Sequence, residues 1–231
     1  MARKASQSVH SVRSRPERAA GRSSIKAATP ASARARRSAE RRDAILAAAL
    51  KEFSERGFAA TRLDDVARRA GVAKGTIYLH FADKETLFQE LIRLELSPVV
   101  SALENASHAD IPVRKLAEQL VELFVREIHG THRKDVVRLI LTEGQRFPAV
   151  AEFYYREVIA RVMKAVRGLM RRAAERGEIK SDALVRFPQI LVSPGVVSIL
   201  WSGLFDRFEP LDVRALMRAH FELVFDDRRT P

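Results

Sequence analysis

Along most of the chain the apolar residues recur at three- and four-residue steps, the period of helices that bury one face. Ile45, Leu46, Ala49, Leu50 and Phe53 predict a helix over 38–56, ended by Gly57. Leu63, Val66, Ala67 and Ala70 then give a short helix one small apolar face, with Thr61 as its cap and Asp64 three residues on completing a capping box. Gly71 suits the left-handed position after that helix, so the chain turns sharply into a second short helix beginning near Ala73. This one buries Val72, Ile77 and Phe81 and leaves Lys74, Gly75, Thr76, Tyr78 and His80 outside. Asp83 caps a further helix with Glu85 in its first turn and Leu87, Phe88, Leu91, Ile92 and Leu94 as its stripe, kinked or ended by Pro98 near Leu96. Beyond residue 100 the pattern predicts helices over 112–129, 133–146, 148–176, 182–205 and 212–225, with Pro188, Pro194, Gly195 and Gly203 interrupting the fourth. No strand alternation competes, and the expected fold is all-α.

Two short helices joined at a glycine turn, the second with a cationic and hydroxylated outer face, have the geometry of a helix-turn-helix that reads DNA. Lys74 suits a guanine edge, Thr76 and Tyr78 suit phosphate or a thymine methyl, and Gly75 lets the backbone approach closely. The run GFAATRLDDVARRAGVAKGTIYLHFADKETLF, Gly57 to Phe88, resembles the DNA-binding domain of the TetR/AcrR family of bacterial transcriptional regulators. The likeness includes the Gly-Phe pair, the Ala-Gly-Val turn, the Gly-Thr-Ile-Tyr segment, the His-Phe pair and the Asp-Lys-Glu opening of the next helix. It implies DNA contacts from Thr61, Arg62, Ala73, Lys74, Gly75, Thr76, Tyr78, His80 and Lys84, the last at a phosphate. It also implies a helix from residue 83 that carries ligand-induced movement to the reading head, and a four-helix dimer interface built from the last two helices. Ala73 departs from the pattern, since many members carry serine there, whose hydroxyl caps the recognition helix. Residues 136–176, notably RLILTEGQRFPAVAEFYYREV, show a looser likeness to C-terminal domains of one branch. The expected organisation is a basic arm over 1–36, a helix-turn-helix domain over 37–82 and a helical ligand-binding and dimerisation domain over 83–231.

Charge changes this picture less than its total implies. The net charge is +12, but residues 1–37 carry ten Lys or Arg against Glu17 alone, so the rest of the chain holds only +3. DNA binding therefore rests on the helix-turn-helix rather than on the global balance. The arm mixes Arg with Ala, Ser, Thr and Pro and is too poor in large apolar residues to order itself. It reads either as a source of non-specific phosphate contacts or as a dispensable extension. The chain contains no cysteine, no apolar run of membrane-spanning length and no secretory leader pattern, and a cytoplasmic, nucleoid-associated location is expected.

The second half offers the materials of an effector pocket. Phe124, Phe147, Tyr154, Met163 and Trp201 are the expected apolar walls, with Glu143 and His129 as polar anchors. His129 and His132 stand three apart, but Gly130 intervenes and no further ligands cluster nearby, so neither a metal nor another cofactor is expected. Asp64 and Asp65 are adjacent and diverge on a helix, and no nucleophile motif or phosphate-cradling loop is present, so no enzyme is expected. Apolar residues in the last two helices, from Phe187 to Val224, exceed what one core requires and predict a symmetric dimer. The expected function is a repressor that binds a pseudo-palindromic operator in double-stranded DNA and is released by a small apolar or amphipathic effector. A basic architectural DNA-binding protein, an activator of the same family, and a helical enzyme or carrier are the alternatives.

Overall fold

A computed structural model describes residues 30–179 and 181–225; the basic arm up to residue 29 lies outside the described residues. Every described element is helical. Helix α1 runs Pro30–Ala60, so helix begins upstream of the expected start at residue 38. The stretch after Pro30, ASARARR, consists largely of strong helix formers, and the proline stands where a missing N–H costs nothing. Gly57 breaks α1 internally with φ 78° and ψ 167°, a conformation essentially reserved for glycine. Next come α2 (Leu63–Ala70) and α3 (Lys74–Tyr78), joined through Gly71 at φ 67°, as its position after the last apolar residue predicts.

Helix α4 (Lys84–Ser107) is capped by Asp83, whose carboxylate accepts from the Thr86 N–H at 2.7 Å. Pro98 lies inside α4 without ending it. Helix α5 (Val113–Phe124) continues into a π-helical turn, Val125–His129. Then come α6 (Arg133–Glu143), α7 (Pro148–Tyr154), a second π-helical turn Tyr155–Ile159, and α8 (Ala160–Glu175) in direct continuation. The segment predicted over 182–205 is split at Pro188 into α9 (Ala183–Arg186) and α10 (Gln189–Leu204), and α11 (Val213–Phe225) completes the described chain.

The described residues from Ser38 onward form one compact unit. Its main core is continuous from the first helices into the second half: Ile45, Phe53, Phe58, Val66, Ile77, Phe81 and Phe88 join Leu96, Ile128, Val136, Ile140, Phe153 and Ile199. The aromatic part is dense. Phe58 lies 5.4 Å from Phe53, 5.1 Å from Phe88 and 4.5 Å from Phe147, ring centre to ring centre, within the range where aromatic pairs add to burial energy. A second core gathers Val113, Leu116, Val166, Leu169, Met170, Leu184 and Leu191 from α5, α8, α9 and α10. No helix among the described residues is long and apolar enough to cross a membrane.

Candidate nucleic-acid interface and effector cavity

The outer face of α3 is built as its sequence predicts. Ile77 is fully buried beneath it, while Lys74, Gly75 and Tyr78 are exposed and Thr76 and His80 half-buried. Lys74 Nζ pairs with Asp64 of α2 at 2.9 Å. This pairing holds the Lys74 ammonium above its usual range and the Asp64 carboxyl below its own, so both stay charged at neutral pH. Arg62 is exposed beside them. An exposed side chain that the periodic pattern did not assign is Leu79, 82% accessible at the end of α3. Such a side chain can offer only apolar contact, of the kind a thymine methyl accepts.

The segment Gly57 to Thr61 is held from two sides. Glu143, at the end of α6, accepts from the Phe58 N–H at 3.0 Å and the Ala59 N–H at 2.9 Å. Lys84, at the start of α4, donates to the carbonyls of Phe58 (2.7 Å), Ala59 (3.1 Å) and Thr61 (3.0 Å) and lies over the Phe58 ring. The Lys84 ammonium is pushed down by burial, against the opposing pull of Glu143. Gly57 is required by its dihedral angles, and a Cβ there would stand 2.5 Å from Glu143 Oε1, so the carboxylate that holds the Phe58 and Ala59 N–H groups would have to shift. The Thr61 hydroxyl donates to the carbonyls of Glu52 and Gly57.

In the second half a half-open apolar cavity of about 250 Å³ lies among seven helices, α6 contributing Val137. Leu96, Val99 and Leu103 of α4 face it, with Leu120 and Phe124 of α5, Tyr154 of α7, Met163 and Val166 of α8, Leu191 and Gly195 of α10, and Met217 and Phe221 of α11. Helix irregularities surround it. Pro98 interrupts the hydrogen-bond ladder of α4 between Leu96 and Val99, and the two π turns directly follow Phe124 and Tyr154. Pro194 precedes Gly195, where a Cβ would lie 3.1 Å from the Phe124 ring. A π turn carries an extra residue and re-aims its neighbours, and proline removes a helix bond, so these features keep side chains from closing into the space that ordinary packing would fill.

Residues 45–91 match the family of bacterial regulatory proteins of the tetR family, and residues 113–219 match the tetracyclin repressor-like C-terminal domain. The HTH-type transcriptional repressor BepR of Brucella suis is 33% identical over 150 residues, covering 62% of this chain and 71% of that protein. The chain belongs to the TetR family. Solved structures agree in fold: SmeT in complex with triclosan aligns with a TM-score of 0.69 at 19% identity, over 82% of this chain and 93% of that one. The transcriptional regulator FadR from Bacillus subtilis, in complex with stearoyl-CoA, aligns at 0.66 and 21% identity, over 79% and 97%. This TetR-family chain is therefore a DNA-binding transcriptional regulator, not an enzyme.

Against that family pattern several sequence expectations move. Thr61 forms no capping box; Arg62 occupies the cap position of α2 without a side-chain bond, and Thr61 is only 2% exposed. Its hydroxyl is spent inside the reading head, so a side-chain contact to DNA from Thr61 is corrected to a structural role. Lys84 is engaged with three carbonyls rather than free toward solvent. Of the expected pocket residues, Phe124, Tyr154 and Met163 line the cavity. Glu143 and Phe147 do not; they reach back to Phe58. His129 bonds Ser202 at 3.0 Å, its imidazole pushed down chiefly by burial, and Trp201 donates to the Glu209 carbonyl, both away from the cavity wall. His132 meets Glu95 rather than a second imidazole, and no metal-ligating cluster occurs among the described residues.

Proposed function

We propose that this regulator is a repressor that binds a pseudo-palindromic operator as a homodimer and is released by a small apolar or amphipathic effector held in the cavity of the second half. One observation carries the reading: α4 serves both ends. Its first residue, Lys84, clamps the Phe58–Thr61 segment of the reading head, and from Leu96 to Leu103 the same helix forms a cavity wall. A ligand that prefers a different course of α4 therefore shifts the reading heads, and by linkage operator DNA must weaken ligand binding by the same factor, typically about 5- to 150-fold. That related folds were solved with stearoyl-CoA and with triclosan supports an effector with a large apolar part. The organisation supporting it is a reading domain over 37–82 and a sensing and dimerising domain over 83–231, acting in the cytoplasm on nucleoid DNA.

The dimer face is supported by α10 and its surroundings. That helix has no charged residue on any side, yet Val197, Leu204, Phe205 and Phe208 remain 45–71% exposed. A helix apolar all round needs cover on both sides. In the DNA contact proposed, Lys74 leaves Asp64 for a base edge, Tyr78 and Thr76 meet the backbone, and Arg62, Ala73, Gly75 and His80 flank them.

The test is an operator selected from randomised DNA, with affinity read by fluorescence anisotropy. Lys74→Ala and Tyr78→Ala are each expected to weaken operator binding about tenfold or more without lowering the melting temperature. Unchanged affinity in both variants would remove α3 from the interface.

A further inference from the structure

The cavity wall carries information about what it binds. Every described side chain lining it is aliphatic, aromatic, thioether or glycine, with one exception, the phenol of Tyr154. Tyr154 is 8% exposed, and its hydroxyl has no hydrogen-bond partner among the described residues. Its pKa is pushed up to about 12 by burial alone, so the group stays a neutral donor at any physiological pH. The ring is buried, but the hydroxyl is not among the fully enclosed unpartnered polar atoms, so its oxygen stays within reach of a guest and, in an otherwise apolar wall, is the one point of polar discrimination.

We infer that the cavity selects a small uncharged lipophile carrying a single hydrogen-bonding oxygen, which pairs with the Tyr154 hydroxyl while the remainder packs against aliphatic wall. This deepens the effector reading of the same cavity and rests on it. The volume sets the size. A cavity of about 150 Å³ lined by Leu, Ile and Phe holds one benzene, so 250 Å³ holds a buried part of roughly ten non-hydrogen atoms. The wall sets the charge. It presents no cation or anion, so a carboxylate or ammonium inside would be desolvated without a counter-ion. Charged groups lie outside it, in a cleft of about 770 Å³ lined by Arg114, Arg126, Arg218, Glu118, Glu122 and Glu222. Ala117, Leu120, Leu123 and Phe221 border both. The cleft balances its charges and gives an ionic headgroup no net attraction.

The experiment uses the full chain and three probes of similar shape: 4-propylphenol, propylbenzene and 4-propylbenzoate, each titrated calorimetrically at neutral pH. The phenol is expected to bind roughly five- to tenfold more tightly than propylbenzene, the increment of one neutral hydrogen bond, and the benzoate not measurably. Tyr154→Phe should bring the phenol down to the level of propylbenzene, leave propylbenzene unchanged, and hold or raise the melting temperature, since it removes an unpartnered group. Met163→Trp, which fills the space, should abolish both. The inference is overturned if no probe binds, if the benzoate binds as well as the phenol, if phenol binding ignores Tyr154→Phe, or if that variant melts lower. Operator anisotropy in parallel separates the two readings. Phenol binding with the Tyr154 signature but no effect on operator affinity refutes the effector role and keeps the selectivity; operator release by a charged amphiphile, with no phenol binding, does the reverse.

Discussion

The reading head and the sensing half use the same material, amphipathic helices around apolar side chains, to opposite ends. Around Phe58 the rings of Phe53, Phe88 and Phe147 pack closely, the backbone groups of Phe58, Ala59 and Thr61 are met by Glu143 and Lys84, and the Gly57 carbonyl by the Thr61 hydroxyl. Around Tyr154 the helices carry two π turns and two internal prolines, and the side chains do not close. A base-reading surface must hold side chains to a fraction of an ångström, which close packing does; a sensor must have room to rearrange, which defects supply. The difference lies in helix regularity more than in hydrophobicity.

Truncation tests the contrast most severely. Phe58→Ala removes a fully packed ring from the middle of three others and should cost about 3–5 kcal/mol. Met163→Ala, whose side chain already borders open space, should cost about 2 kcal/mol or less, at the low end for this exchange. Equilibrium denaturation of both variants checks this. Equal losses would mean that the cavity region is packed as tightly as the head, and the contrast would fail.

A smaller effect tests what joins the two regions. Glu143→Gln keeps the shape but gives one of the two backbone donors an amide N–H to face instead of an oxygen, leaving Phe58 or Ala59 unpaired. Loss of a hydrogen bond to a charged acceptor costs about 1.5–3 kcal/mol. The same variant should reduce the factor by which an effector weakens operator binding, because α6 then holds the head less firmly. Full stability together with full coupling would show that Glu143 is incidental to the link.

What was legible in the sequence follows the same division. The helix-turn-helix could be read because its elements are contiguous and its punctuation, Gly57 and Gly71, acts locally through backbone angles. Helix limits in the second half were close for the same reason: Pro112, Pro148 and Pro188 mark them by removing donors. The cavity was harder, since its walls come from seven helices and periodicity cannot tell a side chain that faces a void from one that faces a neighbour. Phe124, Tyr154 and Met163 were identifiable as large apolar residues, yet Phe147 and Trp201 fit that description equally and face elsewhere. Glu143 was misplaced because a polar residue amid apolar ones reads as an anchor, and only the fold shows that its partners are 84 and 85 residues upstream. A signal was present in Gly57: a glycine whose missing side chain admits a carboxylate.

The smallest expected effect concerns Ala73 and runs in the stabilising direction. Ala73 occupies the cap position of α3 with φ −67° and ψ 145°, the extended backbone a capping residue adopts, and no side chain caps the helix. It is exposed, so a hydroxyl there displaces nothing. Ala73→Ser should let Oγ accept an N–H of the first turn and stabilise the head by about 1 kcal/mol, visible as a small rise in melting temperature. On the reading side the same hydroxyl can also donate to a phosphate, tightening operator binding a fewfold with little change in the salt slope, because no charge is added. A rise in stability without a change in affinity would place position 73 inside the head's own packing and off the DNA. A change in affinity alone would mean that α3 is ordered on DNA however its first turn is capped, and that the regularity of the reading head does not depend on this cap.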